Sequence, residues 1–547
     1  MPETRWPAAI GRRGVVVSPH PLATLAGLGM LLRGGTAADA AVAAGIALAV
    51  VYPHMTGLGG DSFWLYWDAR GGRLRALAAC GAAAGRATPQ FYRDAGLSEI
   101  PARGPLAALT VPGAVDGLWE AHRWSRETLG SPLGWADLLA DAIGHAAEGI
   151  PVSPCQARVT ARAADLLACA DSPPFLAFAR TYLRGGAAPE PGSVLRQPEL
   201  ARTLERLARE GGRAFYEGDL AGEMARACEA ARSPLRLDDF RAHRSRWAES
   251  LTVPYRDGVA ASVPPPSQGL AALAILGMLD TLDVGGFPTE SADYVHVIVE
   301  ATKLAFGDRD RWLADPERVA VPTDRLLDPG YLSDRAKLIR IDTAAPAPVP
   351  SGISRPGGDT VACASADAAG NCVVLIQSLY HEWGSGLVAG ETGVVIQNRG
   401  AFFNLDPSQP NGLAPGKRPA HTLVPFMFLR DGRPVFLAGT MGGEGQPQTL
   451  AALATRVLDH GLDVQAAVEA PRWLYGRTWG APTRALSLEG RFEARVAHQL
   501  GDRGHEVRLL EPWSDTMGHA QAIWLDRERG LLVGGGDPRA DGPALAV

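Results

Sequence analysis

Gly357-Gly358-Asp359-Thr360-Val361-Ala362-Cys363-Ala364-Ser365-Ala366 joins two unlike textures of the chain. Upstream, from about Thr343 to Gly358, the chain ends in APAPVPSGISRPGG, a composition that resists packing and suits a flexible linker. Downstream, Thr360 to Ala366 is a β-compatible run. If the Asp359–Thr360 bond breaks, Thr360 becomes an N-terminal residue carrying a hydroxyl nucleophile and an amine able to act as its base. Taken alone, a threonine there also reads as an ordinary β-branched strand residue. The surrounding residues favour the nucleophile and predict a self-processing amide hydrolase, with a large chain of residues 1–359 and a small catalytic chain of residues 360–547 forming one body.

Working outward, Thr360–Ala366 and Cys372–Leu379 are separated by Asp367-Ala368-Ala369-Gly370-Asn371, a five-residue hairpin loop. With Ala366 facing Cys372, antiparallel counting places Thr360 directly opposite Ser378, within hydroxyl reach. A second hairpin is expected from Thr422–Leu429 and Pro434–Leu437 around Asp431-Gly432, and a third pair from Ala520–Leu525 and Gly530–Val533. Before residue 340 the texture is helical, as in Trp135–Ala147 and Ala221–Ala231. Ala37–Val51 reads as a buried helix opened by a Thr36/Asp39 capping pair. Strands covered by helices on both sides predict a layered α+β body.

Composition sets the outer bounds. With 547 residues, 46% of them hydrophobic, the chain can bury a large core. A formal charge of -6 without a long run of one sign argues against a nucleic-acid partner. Met1–Gly14 lacks the apolar region of a secretory signal, which predicts a cytoplasmic address, and Ala37–Val51 is too short to span a bilayer. The six cysteines lack metal-type spacing, and His381-Glu382 has no second His to complete an HExxH motif, so no metal is expected. Gly57-Leu58-Gly59-Gly60 lacks the spacing and Lys of a phosphate loop, so no nucleotide cofactor is expected either. Asp61 and Glu391 read as framework carboxylates.

Between the second and third hairpins lies Gly439-Thr440-Met441-Gly442-Gly443-Glu444. Paired glycines let backbone N–H groups approach a reacting atom, the requirement of an oxyanion hole, although such pairs also serve as plain turns. Together with Gly34-Gly35-Thr36-Ala37-Ala38-Asp39-Ala40, Gly57–Asp61, Val111-Pro112-Gly113, Pro264-Pro265-Pro266-Ser267, Gly358-Asp359-Thr360 and Pro415–Pro419, this run resembles the γ-glutamyltranspeptidase superfamily of N-terminal-nucleophile hydrolases over nearly the whole chain. The resemblance implies a four-layer αββα sandwich and a precursor cut before Thr360. It also implies Thr360 as nucleophile, Ser378 as its hydrogen-bonding neighbour, Gly442 and Gly443 as oxyanion donors, and no cofactor. A dimer of large–small pairs is the family-based expectation.

The departures from that family bear on the substrate. Cys80, in Ala78-Ala79-Cys80-Gly81-Ala82, stands where γ-glutamyl enzymes carry an Arg that clamps the substrate's α-carboxylate. A thiol cannot replace a bidentate guanidinium. The family's adjacent serines appear as His421-Thr422. Its run ending in an ammonium-binding Asp appears as Asn398-Arg399-Gly400-Ala401-Phe402, so an anion is lost and Arg399 gained. This resembles the subgroup that includes oxamate amidohydrolase, and implies a small carboxylate-bearing amide held by Arg399, with His421, Thr422, Tyr380 and Cys80 as pocket residues. Arg399 also reads as a structural ion-pair partner, and His421 as a core imidazole. Alternative functions are a γ-glutamyltransferase or glutathione hydrolase, a cephalosporin-acylase-like amidase, and an uncleaved binding or scaffold homologue.

Overall fold

The computed structural model describes residues 4–346, 359–478 and 483–547. In it the strand Asp359–Asp367 lies near the middle of a seven-stranded sheet, between Gly14–Val17 and Cys372–Tyr380. The sheet continues through Asp61–Asp68 and Arg73–Ala79 to Arg246–Ala248. A second seven-stranded sheet runs from Ala9–Gly11 through Leu531–Gly536, Ala520–Asp526, Arg433–Thr440, Phe426–Arg430 and Gly258–Ser262 to Leu251–Tyr255. Side chains alternate across both faces, as the period of two demands. Ala362, Ala364 and Ala366 point into the core between the sheets with Ile376, Met427, Leu437 and Ile523, whereas Val361 and Cys363 point outward into the helical layer.

The outer layers are helices. Pro21–Leu32, Ala37–Val51, Ala114–Trp124 and Trp135–Glu148 belong to the core on the outer side of the first sheet, and Gly269–Leu279, Ala292–Trp312 and Gln446–Leu458 to that of the second. The result is the expected αββα sandwich. Ala37–Val51 is buried along its whole length, with the Thr36/Asp39 capping box in place. That burial removes any amphipathic signal, so composition and caps alone announce this helix.

The hairpin register runs as counted from Ala366↔Cys372 to Val361↔Gln377, but then shifts, and Asp359 pairs with Tyr380. Thr360 therefore faces both Ser378 and Leu379 across a bulge, not Ser378 alone. The cause is local: Tyr380 has φ +83, and its N–H donates to Ser378 Oγ at 2.7 Å, folding the partner strand back on itself. The second hairpin turns at Asp431 and Gly432, both at positive φ as its tight turn requires. Its first strand starts at Phe426, because His421 is tied to the Pro264–Gln268 turn by His421 N to Pro266 O (2.7 Å) and Gln268 N to His421 O (2.8 Å).

The large-chain half is not only helical. It supplies strands to both sheets, and the sequence hid them because strands such as Asp61–Asp68 are buried on both faces and show no alternation. Of the expected linker, Ala344 and Ala345 hydrogen-bond to Arg503 O and Glu300 Oε2, and residues 347–358 lie outside the described residues. Glu300 sits in a buried cluster with His296 and His505. Each member is committed: His296 bonds His505 (2.8 Å) and Arg340 O (2.7 Å), and Glu300 accepts from Lys303 (2.7 Å).

The strand Arg433–Thr440 of the second sheet packs directly against the hairpin of the first. A Cβ on Gly439 would lie 2.6 Å from Ile376 Cδ1 and 3.0 Å from Ala362 Cβ, so only glycine lets this strand, which leads into the Gly442–Gly443 turn, lie so close to the hairpin that begins at Thr360. Gly439→Ala is expected to push the sheets apart and destabilise the protein by about 1–3 kcal/mol, the usual cost of overpacking. An unfolding transition in denaturant identical to that of the unaltered protein would refute this close approach.

Candidate active site

Thr360 is buried, and its Oγ1 has no hydrogen-bond partner among the described residues. A buried hydroxyl without a partner is costly, and such exceptions concentrate where chemistry is done. Beside it, Ser378 Oγ accepts from Arg399 Nη2 at 3.2 Å as well as from Tyr380 N.

Arg399 is delivered by a tight turn that follows Asn398. Asn398 N donates to Leu379 O (3.2 Å), and its side chain accepts from His381 N (3.0 Å) and donates to Ala102 O (2.6 Å), which fastens the turn to the end of the Ser378 strand. The guanidinium is fully buried. It donates to Thr422 Oγ1 (3.1 Å) and Ser378 Oγ and lies 4.2 Å from the centre of the Tyr380 ring. No carboxylate lies within 4.0 Å of it among the described residues. Burial lowers its pKa to about 10, which leaves it charged at neutral pH. A structural ion pair, the alternative reading of Arg399, finds no partner among the described residues.

His421 answers differently. Its Nε2 lies 3.1 Å from Asp61 Oδ2, and burial, assisted by Arg399, lowers its pKa to about 4. The contact is thus a neutral imidazole donating to a carboxylate, with Nδ1 left as an acceptor. Asp61 also accepts from Gly81 N (3.2 Å) and Gly113 N (2.9 Å), the framework role expected of it. Cys80 is buried beside this framework and burial raises its thiol pKa, so it stays neutral. It lines a cavity of about 390 Å³ with Val111, His243, Arg246 and Arg418.

The Gly442–Gly443 turn is held through its carbonyls. Met441 O accepts from Thr440 Oγ1 (2.5 Å), Gly442 O from Gly445 N (2.8 Å) and Thr478 Oγ1 (3.3 Å), and Gly443 O from Gln268 Nε2 (3.0 Å). In a trans peptide the N–H points opposite the preceding C=O. Fixing Met441 O and Gly442 O therefore aims the Gly442 and Gly443 amides the other way, and neither donates to a protein acceptor among the described residues. Positive φ at both positions, +139 and +51, favours glycine there. Gln268 Nε2 also reaches Thr422 O at 3.0 Å, so contacts run unbroken from the turn through Thr422, Arg399 and Ser378 to the Thr360 bulge.

The sequence-derived residues Thr360, Ser378, Tyr380, Arg399, Thr422, Gly442 and Gly443 thus form one constellation, with His421 and Cys80 as neutral neighbours on the Asp61 side. Gln268, Thr478 and Arg309, which donates to Gln268 Oε1 (3.1 Å), were missed. The Pro264–Ser267 motif that precedes Gln268 was the available pointer.

Comparison with known proteins places the chain in a family. The family model for gamma-glutamyltranspeptidase matches residues 23–547. The chain belongs to the γ-glutamyltranspeptidase family. Within it, the chain is 47% identical over 536 residues to the oxamate amidohydrolase proenzyme of Klebsiella pneumoniae, covering 98% of each chain. It is 44% identical to the glutathione hydrolase-like YwrD proenzyme of Bacillus subtilis, covering 99% of each. Among solved structures, the cephalosporin acylase from Bacillus halodurans superposes with a TM-score of 0.91 at 34% identity, covering 100% of this chain and 98% of that one. The γ-glutamyltranspeptidase sandwich described above is therefore of the N-terminal-nucleophile hydrolase type, and the chain is an enzyme of a family whose members act on amide bonds.

Two outcomes follow from the electrostatics. Arg399→Met is expected to leave stability unchanged or raised, because it deletes a buried charge without orphaning an opposite one; a loss of about 3–5 kcal/mol would reveal a broken pair. His20, His243, His421 and His519 are each lowered to about 4, burial being the largest cause. Below their ordinary value of about 6.5 the unfolded chain takes up protons that the folded one refuses, so stability should fall as pH drops from about 6.5 to 4. Thermal midpoints that stay flat across this window would contradict the neutral imidazoles.

Proposed function

We propose that this chain is a self-processing amidohydrolase that hydrolyses the amide of a small carboxylate-bearing, oxamate-like acid through a threonyl acyl-enzyme. The observation that carries the reading is Arg399, a buried guanidinium with no carboxylate within ion-pair distance among the described residues, joined through Ser378 to the strand end that bears Thr360. A charge held in that state favours an anionic ligand over a neutral one.

In maturation the Thr360 hydroxyl attacks the Asp359 carbonyl, the acyl group shifts from nitrogen to oxygen, and water cleaves the ester. This frees the Thr360 amine, whose ordinary pKa of about 7.7–8.0 lets it accept the hydroxyl proton at working pH. The substrate carboxylate then lies against Arg399 and the Thr422 hydroxyl, which fixes its amide carbonyl over Thr360. Thr360 attacks, the Gly442 and Gly443 amides stabilise the oxyanion, ammonia leaves with the proton, and water releases the acid. Neutral His421 and Cys80 offer no counter-charge to an α-ammonium. This sets the reading against the glutathione-hydrolase alternative, which the 44% identity to YwrD keeps as the rival.

The test joins processing to chemistry. On a denaturing gel the wild type should give chains of about 38 and about 20 kDa, in proportion to 359 and 188 of the 547 residues, and Thr360→Ala a single uncut band. The matured enzyme should release ammonia from oxamate and turn over glutathione poorly. Activity in the uncut chain would end the nucleophile assignment, and efficient glutathione hydrolysis would end the substrate assignment.

A further inference from the structure

Gln268 is buried in the turn after the strand Gly258–Ser262, and its side-chain hydrogen bonds run to the backbone of Thr422 and Gly443 and to Arg309. Its Nε2 forks between Thr422 O and Gly443 O, both at 3.0 Å. Its Oε1 accepts from Arg309 Nη1 at 3.1 Å. Arg309 in turn contacts Glu444 Oε2 at 3.3 Å, the residue next to Gly443, and Glu444 Oε1 is held by Arg477 at 3.2 Å. One amide group thereby ties the backbone that presents the Thr422 hydroxyl to Arg399 to the backbone of the proposed oxyanion turn.

A primary amide suits this junction for a specific reason. It has two N–H donors for two carbonyls and an oxygen for the arginine, so all three polar contacts are met without a charge. A glutamate of the same length keeps the contact with Arg309 but turns both donors into acceptors facing carbonyl oxygens. Methionine keeps the volume and loses every hydrogen bond.

We propose that Gln268 is a positioning residue that couples occupation of the carboxylate clamp, Arg399 with Thr422, to the alignment of the Gly442–Gly443 amides. The inference rests on the carboxylate-amide reading of the site. When a substrate carboxylate settles on Arg399 and Thr422, Gln268 passes the fixed position of the Thr422 backbone to Gly443, so the acid group promotes the chemical step as well as binding. This is binding energy from a remote part of the substrate used at the reacting carbonyl.

The experiment compares oxamate with oxamide, its neutral diamide, on wild type, Gln268→Met and Gln268→Glu, each checked first for chain cleavage and thermal midpoint. The wild type should show a higher kcat, not only a lower KM, on oxamate. Both variants should lose about 10²-fold in kcat on oxamate, as expected for a misplaced catalytic group, with KM little changed and a much smaller loss on oxamide. Full activity in Gln268→Glu would overturn the proposal, because only the Arg309 contact would then matter. Equal losses on both substrates would also overturn it, leaving the function reading intact. A wild type indifferent to the carboxylate would remove the function reading and the coupling together. Failure of both variants to mature would count against the proposal by giving Gln268 a role in maturation.

Discussion

A guanidinium charge held in the interior with no carboxylate in ion-pair contact among the described residues is the constraint around which the site is organised. Desolvating an ionised group is expensive, and proteins ordinarily answer with a carboxylate. Here Arg399 has two hydroxyls, Ser378 and Thr422, and the face of Tyr380. These soften the cost and leave the charge unneutralised. Tyr380 takes its place under the guanidinium because its backbone is in the left-handed region, the same local conformation that creates the bulge opposite Thr360. The feature that holds the cation and the feature that sets Thr360 apart from a regular ladder are one backbone irregularity.

The sandwich makes this possible by bringing together segments far apart in the chain. Gly439 permits close contact between sheets, so the turn that ends one strand of the second sheet reaches the hairpin of the first. Asp61 fastens Gly81 and Gly113 to His421. Arg309, from the helix Ala292–Trp312, supports Gln268 and Glu444. Both halves of the proposed precursor thus contribute backbone to the same few ångströms. Cleavage at Thr360 would separate them covalently while leaving the sheets intact, since Gly14–Val17 and Asp61–Asp68 flank the small-chain hairpin on its two sides.

Much of this was legible in the sequence where local rules act. Turn chemistry announced the Asp431-Gly432 hairpin, the Thr36/Asp39 spacing announced a helix start, and counting from Ala366 gave the hairpin register as far as Val361. What escaped was set by burial or by tertiary contact. Strands covered on both faces, such as Asp61–Asp68, carry no alternation, so the first half looked helical. The final register shift depends on a positive φ at a tyrosine, for which no residue-level signal exists. Thr478 and Gln268 act on carbonyls distant in sequence; only the Pro264–Ser267 motif before Gln268 points toward one of them.

On the proposed reading, the neutrality of His421 and Cys80 narrows the ligand further than the Arg399 cation alone does. His421 is too depressed in pKa to ionise near neutral pH, and Cys80 is pushed the opposite way into the same uncharged state. A ligand bearing both a carboxylate and an ammonium would match the first charge and strand the second in a region of low polarisability. A ligand with a carboxylate and an uncharged amide strands nothing: its anion meets Arg399, and its amide oxygen gains partners only as it becomes an oxyanion. Complementarity that grows along the reaction coordinate is what separates catalysis from tight binding. On the proposed reading, the Arg399 charge and the Gly442 and Gly443 amides are therefore two halves of one requirement, a substrate that arrives with one negative charge and acquires a second at the carbonyl.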